Sequence, residues 1–150
     1  MNSESVKKYT VGFIFNQNMD KVLLVHKTKP EWQAGKLNGI GGKFEKDETM
    51  FDCIVRETQE ESTLNTTTSD WQYVGTLFWP GKEIYVLTCI YPRSLDDAKQ
   101  NDYEHVEWFG TKTLPSNILE NLNWLIPMSQ QTLLGFSQKF SNHDMLNKDY

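Results

Sequence analysis

Short hydrophobic runs rich in β-branched and aromatic residues recur along the chain, separated by polar, turn-forming segments. The runs cover residues 9–15, 21–26, 71–79, 83–91 and 106–109. The polar segment 16–20 separates the first two runs, and Pro80-Gly81 separates the third from the fourth. Runs of this length and composition, bounded by such turns, are typical of strands. The pattern therefore predicts two strand pairs and one later strand.

A different spacing, of three to four residues, predicts a helix after Thr49. Thr49 is followed three residues later by Asp52, a variant of the capping box that marks a helix N-terminus. The apolar positions after it lie on one helical face. They are Phe51, Ile54 and Val55, with Thr58 at the next position of that face. The opposite face is acidic, so we expect the core face and the acidic face to be distinct.

Two weaker helical patterns follow near the end of the chain. Residues 118–122 predict one helical turn, and residues 127–140 predict a terminal helix with Leu133, Leu134 and Phe136 available for packing. Strands, a helix, further strands and a last helix predict an α+β fold. We expect a single domain over residues 1–140 and a polar C-terminal tail over residues 141–150.

Composition agrees with one compact domain and argues against several functions. The chain has 150 residues, of which 38% are hydrophobic, and a net charge of −5. Without a basic stripe, we expect no nucleic-acid polymer as partner. Cys53 and Cys89 are isolated, which argues against a disulfide framework or a zinc site and favours a cytoplasmic location. We expect no membrane association, because no apolar run approaches the length of a membrane span.

Three carboxylates follow one another at helical spacing in the predicted helix. Glu57, Glu60 and Glu61 stand at i, i+3 and i+4, so a helix places them on one face. Like charges at this spacing destabilise a helix by roughly 0.2–0.5 kcal/mol per pair, and a bound cation would reverse that effect. Carboxylate oxygens are hard ligands that suit Mg²⁺ or Mn²⁺. The alternative is a solvated acidic helix face.

The wider pattern resembles the signature of a known family. It consists of Gly42, Glu48, the pair Arg56-Glu57 and the pair Glu60-Glu61, at the spacing of the Nudix box. Two positions depart from that box. Thr58 stands where an aliphatic residue is usual, and Thr63 stands where a glycine is usual. Because a β-branched residue resists the left-handed conformation that a C-terminal glycine supplies, we expect the loop after the helix to differ.

The resemblance implies an α/β/α sandwich with a mixed sheet and a hydrolase that cleaves nucleoside diphosphates linked to another moiety. It implies Mg²⁺, with Mn²⁺ as a substitute, held by Glu57 and Glu60. Glu61 would be a further ligand or would orient water, and the carbonyl of Gly41 would supply another oxygen. Arg56 would orient Glu57 or Glu60. Glu48 would contact the groups around the metal without binding the metal itself. These are implications of the family pattern alone.

The family often adds a carboxylate from a later loop, as metal ligand or base. Glu104 is our choice, because the segment Glu104-His105-Val106-Glu107-Trp108 resembles the acidic stretch before the late strand of many members. Asp102 and Glu107 remain alternatives, as does a plain acidic surface loop. The three histidines, His26, His105 and His143, show no spacing that suggests a ligand set, and we expect them to be incidental.

The segment before the box resembles the MutT-type branch of the family. In that branch an asparagine at the position of Asn38 reads the base, although an Asn side chain can equally fix a loop. Lys43 and Gly42 would lie near phosphate, or Lys43 would be a solvated loop residue. A second polar reader would come from Glu120, Asn121 or Asn123. Candidates for an aromatic wall, which can equally be core residues, are Trp32, Phe78, Trp79 and Trp124.

Four hypotheses follow. The first is a nucleoside triphosphate pyrophosphohydrolase that releases a monophosphate and pyrophosphate, with oxidised purine nucleotides among its candidates. The second is an enzyme for ADP-ribose, dinucleoside polyphosphates or nucleotide sugars. A catalytically inert nucleotide sensor and a structural acidic helix are the third and fourth. A monomer or a homodimer fits each of them.

Overall fold

One mixed sheet, covered by a helix on each face, organises the chain. The computed structural model describes residues 6–101, 104–136 and 140–141. Its elements are β1 Lys7–Phe15, β2 Lys21–His26, β3 Leu37–Asn38, α1 Met50–Ser62, β4 Gln72–Trp79, β5 Lys82–Ile90, β6 His105–Gly110, α2 Leu122–Leu133 and β7 Phe140–Ser141. The predicted strands are all present, with bounds that shift by at most two residues at either end. Among the described residues, neither helix has the length and apolar character needed to span a membrane.

The sheet order is β3-β2-β1-β5-β4-β7, and β6 pairs with β2. β1 pairs in parallel with β5, and β4 in parallel with β7, whereas the other pairs are antiparallel. The α+β class and the mixed sheet are therefore confirmed. The proposed tail meets this sheet at its first residue, since Ser141 belongs to β7, and residues 142–150 lie outside the described part of the chain.

Helix α1 begins as its capping signal predicts. The Thr49 side chain accepts from the Asp52 amide at 3.1 Å, and the Asp52 carboxylate accepts from the Thr49 amide at 3.0 Å. The expectation for the helix end was wrong. Thr63 adopts the left-handed conformation, with φ 65° and ψ 1°, and its hydroxyl donates to the carbonyl of Asp97 at 3.0 Å. That bond offsets the steric cost that a β-branched residue meets there.

The two faces of the sheet bury separate apolar clusters. On one face, α1 covers Ile14, Leu23, Val25 and Leu87. Its approach is close at Gly12 in β1, where a Cβ atom would lie 2.7 Å from the Cδ1 atom of Ile54. On the other face, α2 packs on β4 and β5 over Phe13, Leu24, Leu77 and Val86. This is the sandwich that the family resemblance implied.

The terminal helix differs from its prediction. It starts at Leu122 rather than Pro127 and ends at Leu133, with Pro127 inside it. The reason is the spacing of Leu122, Leu125, Ile126 and Ser129, whose buried face continues across the proline. Leu134 and Phe136, which were expected to pack, are 56% and 62% exposed. The turn predicted over residues 118–122 is instead a bridge from Ile118 to Leu37 followed by the start of α2.

Candidate functional site

The glycine loop, defined as residues 40–44, runs along the edge of β1 and meets α1. The amide of Thr10 donates to the carbonyl of Gly42 at 2.9 Å, and the amide of Ile40 donates to Gly12 at 3.0 Å. A Cβ atom on Gly41 would lie 2.0 Å from the carbonyl oxygen of Thr10. One on Gly42 would lie 2.2 Å from the Oε2 atom of Glu57. Glycine at both positions therefore allows the backbone to approach the carboxylates of α1.

Glu57 and Glu61 lie against this loop, and both are partly or wholly withdrawn from water. The Gly41 amide donates to the Oε1 atom of Glu61 at 2.8 Å. Glu61 is only 5% exposed, and this burial raises its pKa to about 8. Burial also raises the pKa of Glu57, against the opposing effect of the Arg56 charge. The acidic face of α1 is thus not the solvated surface that the alternative interpretation required.

Arg56 ties four groups of the acidic cluster together. Its Nε and Nη2 atoms donate to Glu48 at 2.7 and 3.0 Å, and Nη2 also donates to the carbonyl of Lys43 at 3.1 Å. Its Nη1 atom donates to Glu57 at 3.2 Å and to Glu60 at 3.0 Å. The hydrogen bond from Arg56 lowers the pKa of Glu48. The guanidinium of Arg56 therefore donates its hydrogen bonds to groups of the protein and fixes the orientation of these carboxylates.

The donor set of this cluster fits a hard divalent cation. Glu57, Glu60, Glu61 and the Gly41 carbonyl offer oxygen atoms only, from one helix face and the adjoining loop. Glu60 is the more open member, with 49% of its side chain exposed. Among the described residues, these glutamates do not form a trio of ligand atoms within 4.8 Å of one another. Mutual repulsion and the contacts to Arg56 explain why they are spread.

Glu104, the predicted late carboxylate, lies close enough for its charge to raise the pKa of Glu61. Its amide donates to the Oδ1 atom of Asn101 at 2.7 Å, and the Nδ2 atom of Asn101 donates to the carbonyl of Glu60 at 2.9 Å. The loop that carries Glu104 is therefore attached to the end of α1. Asp102, one of the alternatives, lies outside the described residues.

A cavity of about 1160 Å³ opens on the other side of the glycine loop. Its lining includes most of the residues predicted to bind substrate, namely Trp32, Asn38, Gly42, Lys43, Trp79, Glu120, Asn121 and Asn123, together with Gly41, the predicted metal ligand. Phe78 and Trp124, two of the aromatic candidates, are not among its lining residues. The loop is the element that the cavity and the acidic cluster share.

The polar groups of the cavity are arranged differently from those of the acidic cluster. Asn38 is used by its own loop, because Oδ1 accepts from the Gly39 amide at 2.8 Å and Nδ2 donates to Gln33 at 3.2 Å. By contrast, the buried Oδ1 atom of Asn121 has no hydrogen-bond partner in the described part of the chain. Buried acceptors in native proteins are rarely left unpaired. Asn121 thus lines the cavity, but its unpaired Oδ1 atom is enclosed by the protein.

The sequence profile of the NUDIX domain matches residues 6–129. The chain belongs to the NUDIX domain family. The acidic cluster lies within the matched residues. Families of this kind place divalent cations at such carboxylates, which agrees with the oxygen-only donor set described above.

Among the curated relatives is an m7GpppN-mRNA hydrolase from Saccharomyces cerevisiae, 28% identical over 72% of this chain but only 11% of the relative. Another is the NAD-capped RNA hydrolase NudC from Pseudomonas putida, 30% identical over 64% of this chain and 34% of the relative. The chain thus spans about a tenth to a third of their length. Both are hydrolases by name, in agreement with the prediction of a Nudix enzyme.

Solved structures show the same fold at low identity. An ADP-ribose pyrophosphatase from Streptococcus suis superposes with a TM-score of 0.66 at 19% identity, covering 91% of this chain and 98% of the other. A MutT structure from work on Aliivibrio salmonicida and Vibrio cholerae gives 0.65 at 17% identity, covering 85% and 99%. These likenesses confirm the Nudix fold.

Two lysines of this Nudix domain were missed in the sequence. Lys27 lines the cavity, and its charge lowers the pKa of both Glu57 and Glu61. The Nζ atom of Lys82 lies 5.9 Å from the ring of Trp32 and 5.3 Å from that of Trp79. Lys27 follows directly on a correctly predicted strand, which is the signal that could have identified it. Lys82 had no such signal, since its position depends on the pairing of β5 with β1 and β4.

His26 and His105, which their sequence spacing left as incidental, are neighbours in the structure. The structure brings these two histidines together with Glu107, and their ligand atoms all lie within 4.8 Å of one another. Glu107, an alternative to Glu104, contacts His26 at 3.0 Å instead of the acidic cluster. Their wide separation in the sequence hid a contact that the β2–β6 register creates. His143 lies outside the described residues.

Proposed function

We propose that this chain is a Mg²⁺-dependent Nudix pyrophosphohydrolase that converts a nucleoside triphosphate to a monophosphate and pyrophosphate. One observation carries the proposal. The glycine loop lines the nucleotide-sized cavity and at the same time contacts the carboxylates of Glu57 and Glu61. A phosphate chain lying across Gly41 and Gly42 would therefore reach the acidic cluster while its nucleoside occupies the cavity.

Glu57, Glu60 and Glu61, with the carbonyl of Gly41, are the residues that would hold Mg²⁺, and Mn²⁺ could replace it. Glu104 would complete this set or act as a base, since its charge already acts on Glu61. When bound, the cation offsets charge on the phosphate oxygens and lowers the pKa of a coordinated water. The proposed role of Arg56 is to orient Glu57 and Glu60, and that of Glu48 is to hold Arg56.

The lysines and the glycine loop would position the phosphate chain. Lys27 and Lys43 both line the cavity, and a cation next to a phosphate chain counters its charge as the bond breaks. Lys43 is fixed through its backbone, because its carbonyl accepts from Arg56. That bond holds the Lys43 backbone at the cavity wall. Lys27 adds a second positive group close to Glu57 and Glu61.

The nucleoside would lie between the aromatic residues and the asparagines. Trp32 is 64% exposed and Trp79 38% exposed, so both offer ring surface for stacking on a base. Asn121 and Asn38 both line the cavity, and Asn38 can offer its amide only by exchanging its bond to Gln33.

The size of the cavity favours a second candidate. Ligand sites for single small molecules usually measure about 300–1,000 Å³, and this cavity, at about 1160 Å³, lies just above that range. A substrate with a group on both sides of the diphosphate, such as ADP-ribose, a dinucleoside polyphosphate or a nucleotide sugar, would fill it better. By their names, the relatives act on RNA with an m7GpppN end or an NAD cap, and these two kinds of RNA end join the list of candidate substrates. The acidic net charge of −5 argues against an RNA polymer as the usual partner.

The test is turnover of a nucleotide panel with Mg²⁺, analysed by mass-resolved chromatography. The panel holds canonical and 8-oxo triphosphates, ADP-ribose, a dinucleoside tetraphosphate, a nucleotide sugar, NAD and a cap dinucleotide. Glu60→Gln should abolish turnover, whereas Glu31→Gln, at an exposed carboxylate outside the cavity lining, should not. Monophosphate and pyrophosphate from triphosphates support the first candidate. Turnover confined to the two-sided substrates supports the second, and binding without any turnover would indicate a sensor.

A further inference from the structure

The cluster of His26, His105 and Glu107 has no part in the proposed reaction. β2 and β6 are antiparallel, and in their register His26 lies directly opposite His105. Glu107 is two residues further along β6, so its side chain emerges on the same face as that of His105. The regular β2–β6 ladder thus fixes the backbone positions of all three residues.

The side chains already approach one another closely. The Nε2 atom of His26 lies 3.0 Å from the Oε1 atom of Glu107, and the two imidazole rings meet edge to face with centroids 4.5 Å apart. Ligand atoms of a tetrahedral site with bonds near 2.0 Å are about 3.3 Å apart. The His26–Glu107 pair is close to that spacing. His105 lies within 4.8 Å and is exposed, so a small rotation of its side chain brings it into range.

The donor chemistry differs from that of the Nudix box. Two imidazole nitrogens and one carboxylate oxygen suit borderline transition metals such as Zn²⁺, Co²⁺ or Ni²⁺, whereas Mg²⁺ prefers oxygen ligands throughout. Three protein ligands on a solvent-exposed face leave a fourth position for water. His105 and Glu107 are exposed and His26 is half-buried, so an ion can enter without any movement of the backbone.

We propose that His26, His105 and Glu107 form a second divalent-metal site, selective for Zn²⁺ and its neighbours over Mg²⁺. The ion would join β2 to β6 next to two residues of the first site, since Lys27 follows His26 and Glu104 precedes His105. The plainer interpretation is a surface ion pair between His26 and Glu107, with His105 merely in contact. The two interpretations differ in whether all three side chains are needed to bind a metal.

The test is calorimetric titration of the metal-free full chain with Zn²⁺ in excess Mg²⁺, which occupies the carboxylates of the box. Titration with Co²⁺, read by its visible absorption bands, reports whether imidazole nitrogens bind. We expect about one equivalent of Zn²⁺. His26→Gln, His105→Gln and Glu107→Gln should each weaken binding at least about tenfold, since losing even a partner behind a metal ligand costs about 10–100-fold.

Matched controls separate this site from other donors. His143→Gln and Glu31→Gln should bind Zn²⁺ as the unmodified chain does. Unfolding temperatures without metal show that each variant is folded. The proposal is overturned if the chain binds no Zn²⁺ in excess Mg²⁺, if His105→Gln binds as tightly as the unmodified chain, or if His143→Gln loses as much affinity as the site variants.

Discussion

The acidic cluster and the cavity lie on either side of one glycine loop, and they differ in how many of their side chains the protein itself fixes. In the acidic cluster, Arg56 and the Gly41 amide fix nearly every carboxylate. In the cavity, Asn121 has an acceptor with no partner among the described residues, and Trp32 is mostly exposed. Under the proposed function, the carboxylates would be preorganised for the chemistry, whereas the ring of Trp32 would be left open to the substrate. Substitutions in the acidic cluster should therefore change mainly kcat, and substitutions in the cavity should change mainly KM.

The largest effect should come from Glu57→Gln. The substitution removes one proposed anionic metal ligand and an ion-pair partner of Arg56 at 3.2 Å. We expect kcat to fall by about 10²–10³-fold, as losses of one electrostatic group at an active site do. Binding of the nucleoside in the cavity should change little. Single-turnover kinetics measure the chemical step, and tryptophan-fluorescence titration measures binding. A variant that lost binding but kept kcat would contradict the separate roles proposed for the acidic cluster and the cavity.

Glu61→Gln should change the stability of the metal-free fold in a way that depends on pH. The pKa of Glu61 is raised to about 8 in the fold, above its ordinary value of 4.5, so the folded chain holds a proton that the unfolded chain releases. Stability from this group is therefore full below about pH 4.5 and falls as the pH rises towards 8. The glutamine side chain would keep an acceptor for the Gly41 amide without titrating. We expect the metal-free variant to be more stable at pH 7, on the order of 2–3 kcal/mol.

Urea unfolding between pH 5 and 9, without metal and with Mg²⁺, measures this effect. The increase in unfolding free energy caused by Glu61→Gln should shrink towards pH 5 and grow towards pH 8. Mg²⁺ should stabilise the unmodified chain increasingly over the same range, because it competes with the proton. Glu31→Gln, at an exposed position, should show neither trend. A gain that did not vary with pH would show that ionisation of Glu61 is not its cause.

Trp32→Ala should act on the cavity side alone. At 64% exposure the ring contributes little to the core, and stacking on a base is worth about 1–3 kcal/mol. We expect KM to rise roughly 5- to 150-fold with kcat within a factor of about two. Steady-state kinetics on the preferred substrate test this. Trp124→Ala, at a tryptophan outside the cavity lining, is the control and should leave KM unchanged.

The sequence predicted one side of this comparison much better than the other. The Nudix box is local, so its spacing alone placed Glu57, Glu60 and Glu61 on one helix face, and the capping signal at Thr49 located the helix start. The cavity is assembled from β1, β4, β5 and the segment before α2, whose meeting depends on long-range pairing. Lys82 was missed for that reason.

The errors have physical causes. Thr63 adopts a left-handed conformation because of a hydrogen bond to Asp97, 34 residues further along the chain. The start of α2 differs from its prediction because the apolar spacing continues across Pro127, which the local pattern places at a helix start. His26 and His105 lack any sequence spacing typical of ligands, although a strand register brings them together. For Thr63 and the two histidines a tertiary contact decides the outcome, whereas the apolar spacing across Pro127 was already present in the sequence.

The smallest effect tests the remaining departure from the box, Thr58. Its hydroxyl is buried in α1 and has no hydrogen-bond partner within the described ranges, and its position is usually aliphatic. Thr58→Val keeps the shape and removes a desolvated polar group, so we expect the free energy of unfolding to rise by about 1 kcal/mol. Thr88→Val is the matched control, because the buried Thr88 hydroxyl donates to the carbonyl of Phe13 at 2.8 Å and its loss should destabilise the fold. Urea denaturation of both variants measures the difference, and equal changes in the two would show that the unpaired hydroxyl of Thr58 carries no cost.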